Sequence, residues 1–83
     1  MPSKTQPIVA KAIQATPEAL ILILPEGRAV SIPWEKCSDR LARASAFERN
    51  RAVLSPSGYG ISWPLIDEDL AVGPLLQRYL AGR

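Results

Sequence analysis

Ala19-Leu20-Ile21-Leu22-Ile23-Leu24-Pro25-Glu26-Gly27-Arg28-Ala29-Val30-Ser31-Ile32 is the stretch on which the fold turns. Its first six residues are apolar without alternation, Pro25 to Arg28 carry turn chemistry, and Ala29 to Ile32 resume as an alternating strand. The segment therefore predicts a β-hairpin. A strand that is apolar on both faces has to be covered on both. Leu20 to Leu24 is thus expected to be a central strand, against a helix on one side and a loop or partner surface on the other. Pro33 stops the sheet, because it has no N–H to donate to a ladder.

Upstream, Ile8 to Ala15 reads as a first strand ended before Pro17, and residues 1–7 as a loose leader to a single domain over 8–83. Downstream, Trp34 to Ser38 is a connector and Asp39 an N-cap for a helix over Arg40 to Ala46. That helix extends toward Asn50 and turns Phe47 to the core. Ala52 to Ser55 and Ile61 to Trp63 form a second hairpin about Pro56-Ser57-Gly58-Tyr59-Gly60. Asp67-Glu68-Asp69 falls in a loop ahead of a last helix, Leu75 to Ala81, with Pro74 in its first turn. The expected fold is α+β: a small antiparallel sheet of two hairpins, one central helix and a short C-terminal helix.

With 83 residues, 47% of them hydrophobic and 22% charged, the chain has room for one core and the composition of an ordinary globular domain. Its longest apolar run, Ala19 to Leu24, is far short of the ~20 residues needed to cross a bilayer, so no membrane role is expected. The start of the chain lacks the apolar stretch of a secretory signal, and Cys37 is the single cysteine. A cytoplasmic, reducing location is the default expectation.

Catalytic chemistry is poorly provisioned. There is no histidine, so acid–base work would fall to carboxylates or to Cys37. The neighbours Glu35 and Lys36 do not make a nucleophile–base pair with that thiol, and a plain, partly buried cysteine is favoured. Asp67, Glu68 and Asp69 could gather a divalent cation, giving a metal-dependent enzyme as one alternative. Consecutive residues of an extended chain point to opposite sides, however, and no Ca²⁺-loop spacing is present, so no metal or cofactor is expected. Gly58-Tyr59-Gly60 lacks the rest of a phosphate loop and reads as a turn.

Lys36, Arg40, Arg43, Arg49 and Arg51 are close together in sequence. A small DNA-binding regulator using Arg40, Arg43, Arg49 and Arg51 on phosphates is the other alternative. Glu35, Asp39 and Glu48 are interspersed among them, which favours a solvated face. Trp34 and Trp63 each adjoin a proline, and both suit core packing better than an interface.

The hairpin Leu22 to Pro33, Arg40-Leu41-Ala42 through Glu48-Arg49, and above all Gly60-Ile61-Ser62-Trp63-Pro64-Leu65-Ile66-Asp67-Glu68-Asp69-Leu70 carry a resemblance. Over Leu20 to Leu76 the chain resembles the bacterial family known as domain of unknown function 2442. The resemblance implies a compact α+β domain with a curled antiparallel sheet and no established catalytic residues. It also implies a gene often set beside that of another small protein, in the manner of a toxin–antitoxin pair. Some relatives carry a helix-turn-helix after the domain, for which Pro74 to Arg83 is too short.

The leading expectation is a non-enzymatic protein-interaction module, antitoxin-like or an accessory to a small neighbouring protein. Arg28, Trp34, Arg40, Arg43 and Tyr59 are its candidate contact residues. Unpaired strand edges in so small a sheet leave self-association as a homodimer open.

Overall fold

A computed structural model describes residues 8–82; the expected leader over 1–7 lies outside them. Strand β1 (Ala12–Ala15) pairs antiparallel with β2 (Ala19–Ile23), and β2 with β3 (Ala29–Pro33). Three short helices follow: α1 (Trp34–Cys37), α2 (Asp39–Ala42) and α3 (Ala46–Arg49). A second antiparallel sheet holds β4 (Val53–Leu54), β5 (Gly60–Trp63) and β6 (Glu68–Ala71) in that order, and α4 (Val72–Ala81) closes the chain. The α+β class is as expected, but the strands form two three-stranded sheets rather than one, and β6 beyond the second hairpin was not expected.

The decisive hairpin forms where the sequence places it. Gly27 takes φ +103° in its turn, and the Leu24 N–H donates to the Arg28 carbonyl at 2.8 Å. Leu20, Leu22 and Leu24 are buried on the core face of β2, whereas Ile21 and Ile23 on the opposite face are half-buried. Beside those two isoleucines the neighbouring strands set exposed Ala12, Gln14, Ala29 and Ser31. One face of β2 is therefore covered by the fold, and the other is flanked only by exposed side chains on the neighbouring strands.

Four local expectations are corrected. The first strand is confined to Ala12–Ala15; ahead of it, Ala10 is buried and its N–H donates to the Gly58 carbonyl at 2.9 Å. Trp34 to Cys37 is a helical turn, not a connector. The single central helix is two: α2 is capped by Ser38, whose Oγ accepts from the Leu41 N–H, rather than by Asp39. Ser45 then restarts the helix through a reciprocal capping box with Glu48, and this turns Phe47 outward, 60% exposed. Finally, Glu68 to Ala71 is a strand. Asp67 adopts φ 57° after a 3-10 turn (Pro64–Ile66) and redirects the chain to pair with β5.

Candidate functional site

The core is locked by the two tryptophans. Trp34 follows β3, Trp63 ends β5, and their rings meet edge-to-face at 6.3 Å, joining the two sheets. The Trp34 indole N–H donates to the Thr16 carbonyl at 2.8 Å and that of Trp63 to the Arg49 carbonyl at 3.2 Å, so neither buried ring leaves its polar atom unpaired. Trp34 is 1% exposed. Its place among the candidate contact residues is therefore overturned: a ring this size is the largest apolar surface available to so small a core.

Arg49 belongs to the same lock. Its guanidinium lies 5.3 Å from the centre of the Trp34 ring, and it donates to the Leu41 and Ala42 carbonyls, both at 3.0 Å. It thereby satisfies the Ala42 carbonyl at the end of α2 and adds a second donor to the Leu41 carbonyl, which also accepts from the Ala44 N–H. This commits Arg49 to the fold and separates it from the phosphate-contact set proposed with Arg40, Arg43 and Arg51. Arg40 reaches across to the carbonyls of Ile66 (3.0 Å) and Asp67 (3.5 Å), tying α2 to the turn before β6. Arg43 is exposed at the C-cap of α2, and Arg51 lies over the Phe47 ring at 4.5 Å.

Cys37 and the acidic run Asp67 to Asp69 occupy separate places in the fold, on α1 and at the start of β6. Cys37 is fully buried, its Sγ 3.8 Å from the Ile32 carbonyl oxygen, and burial pushes the thiol up to about 12 against the opposing pull of Arg49 and Arg78. Such a thiol is not a nucleophile near neutrality. Glu68 and Asp69 are successive residues of β6, opposite Trp63 and Ser62 respectively, and so face opposite sides of the sheet. Among the described residues no three acidic, histidine or cysteine side chains gather as a metal ligand set.

What the fold does build is a groove. An open depression of about 690 Å³ runs between β3 and α4, lined by Val9, Leu24, Val30, Leu76, Tyr79 and Leu80, with Glu26 and Arg28 at its hairpin end. Those two ions pair at 3.2 Å in solvent. Strand β3 is an edge of its sheet. The Arg28 carbonyl accepts from Leu24 on the β2 side, and antiparallel alternation then points the peptide groups of Val30 and Ile32 toward β2 and those of Ala29 and Ser31 away from it. Pro33 continues the outward series, at a position where its missing N–H costs the sheet nothing. Of the expected contact residues, Arg28 lines this groove; Arg40, Arg43 and Tyr59 lie elsewhere on the surface.

Sequence reasoning missed Leu76, Tyr79 and Leu80 as site residues. The signal was present: Leu75, Leu76, Tyr79 and Leu80 make an apolar stripe too wide for one helix–core contact. In the structure Leu75 and Leu76 are buried while Leu80 remains 49% exposed.

Two three-stranded sheets joined by a tryptophan lock define a small α+β domain with an open strand edge beside an apolar helix face. Residues 10–79 match the family described as "Protein of unknown function (DUF2442)", and the chain belongs to that family. No curated protein matches it. Among solved structures, a protein of unknown function from Rhodospirillum rubrum is similar, with a TM-score of 0.75 at 22% identity over 84% of this chain and 86% of that one. That likeness is one of fold.

Proposed function

We propose that the protein is a non-enzymatic interaction module that takes an extended segment of a small partner protein along the free edge of β3, in the manner of an accessory or antitoxin-like subunit. The observation that carries this reading is the coincidence of outward peptide groups at Ala29 and Ser31 with an apolar groove walled by Leu76, Tyr79 and Leu80. An added strand gains main-chain hydrogen bonds from the edge, while alternate side chains drop into the groove. The Glu26–Arg28 pair at the hairpin end offers one charge of each sign to orient the incoming segment. The buried, unreactive Cys37 fits a reducing compartment, and we place the protein in the cytoplasm on that ground. No helix among the described residues is long and apolar enough to cross a membrane.

The test is capture of the partner from the native host at physiological salt by wild-type protein, by Leu80→Glu and by Ser31→Pro, with a nuclease-treated parallel. Leu80 is half exposed and Ser31 has its N–H directed away from β2, so both variants should keep the wild-type thermal midpoint. The reading expects a stoichiometric small protein with the wild type, reduced at least tenfold in either variant. Equal recovery by all three, or recovery only of nuclease-sensitive DNA, would contradict it.

A further inference from the structure

A second face of the molecule is separate from the β3 groove. On the outer side of the second sheet, Val53 of β4, Ser62 of β5 and Asp69 of β6 stand in one row. Val53 is 53% exposed at the edge of that row and also lines a shallow apolar depression with Phe47 and Leu65, which are 60% and 55% exposed. Three large apolar side chains left this open, next to one another on a small domain, mark a contact surface rather than scattered exposure.

The charges about this patch are arranged by sign. Arg51 stands on the Phe47 side, its guanidinium over that ring. Asp69 stands across the sheet, two strand spacings or about 10 Å from Val53. Neither has an ion-pair partner among the described residues, where the only such pair is Glu26–Arg28. The shape follows the same division: Phe47 projects on the basic side, whereas Gly60 and Ser62 leave a shallow hollow toward the acidic side.

We infer that this face binds a second copy of the chain about a two-fold axis lying in the interface and passing near Val53. The axis sets Arg51 of each copy against Asp69 of the other, and the projecting Phe47 against the hollow at Gly60 and Ser62. An isologous interface requires a surface complementary to itself. A patch whose apolar centre is flanked by one cation and one anion meets that requirement; a purely basic or acidic rim would not.

The experiment is sedimentation equilibrium over a concentration series on the wild type, Val53→Lys, Arg51→Asp, Asp69→Arg and the double variant Arg51→Asp/Asp69→Arg. Circular dichroism and thermal midpoints serve as folding controls. The wild type should be a dimer at the upper concentrations and Val53→Lys a monomer throughout. Each single charge reversal should weaken the dimer about tenfold or more, and the double reversal should restore it. A wild type that is monomeric throughout would overturn the inference. So would a dimer indifferent to Val53→Lys, or single reversals that the double variant fails to rescue. Leu80→Glu, which addresses the β3 groove, should leave the dimer intact, so failure of one reading is distinguishable from failure of the other.

Discussion

Arg49 shows how one side chain can change its meaning between sequence and structure. Counted along the chain it is one of several nearby cations; folded, it stacks on Trp34, donates to two carbonyls at the end of α2, and offers its own carbonyl to Trp63. Arg49→Ala should lower the unfolding free energy by about 2 kcal/mol in chemical denaturation, since it removes two charged hydrogen bonds and a ring contact. Arg49→Lys should recover little of this, because an ammonium cannot reproduce the planar fork. Nothing in the sequence distinguishes Arg49 from Arg43 or Arg51, since the partners that define its role are distributed over three other elements. Cys37 was more legible: with no histidine in the chain, a structural thiol was the better reading. Its folded-state pKa, about 12, lies above that of an unfolded cysteine. Between those values the native state holds a proton that the unfolded state releases, so the contribution is intact below about pH 8.5 and declines as pH rises toward 12. Native protein at pH 8 should react with a thiol reagent orders of magnitude more slowly than protein in denaturant. Equal rates would show that the thiol is accessible.

At the scale of elements, the hairpin of β2 and β3 and the C-terminal helix were readable because their signals are local: an apolar run, a Pro-Glu-Gly turn and a helix-opening proline. The break between α2 and α3 was also written locally, as Ser45 with Glu48 three residues on, but the helical reading ran through it. Strand β6 was obscured by its own acids, for Glu68 and Asp69 have low strand propensity and form a strand only because β5 offers a ladder on that side. The second hairpin depends on a contact that no local pattern reveals. Gly58 adopts φ +82°, and a Cβ there would run into the Ala10 carbonyl oxygen, while its own carbonyl receives the Ala10 N–H. Gly58→Ala should therefore cost about 3 kcal/mol, from the left-handed backbone and the displaced segment together. Gly27→Ala, in open space at φ +103°, should cost only about 1 kcal/mol, from backbone strain alone. Thermal melts of the two variants side by side check the difference.

For the whole molecule, the division of labour is between an interior committed to folding and two surfaces left incomplete. No polar or charged side chain is buried among the described residues, and the core is closed by apolar packing between the sheets. The candidate contact residues chosen from sequence were aromatic and cationic, whereas the groove that the fold assembles is mainly aliphatic, with backbone edge groups that no sequence motif encodes. Arg28 alone connects the two descriptions. The central claim, that β3 accepts a strand from a partner, is tested most directly by residue-resolved amide hydrogen exchange on the free protein and on its complex with the captured partner. The Ala29 and Ser31 amides should exchange rapidly in the free chain and become protected in the complex, while the Val30 and Ile32 amides, already paired with β2, are protected in both. Protection that appears elsewhere and leaves Ala29 and Ser31 exchanging as before would contradict the account.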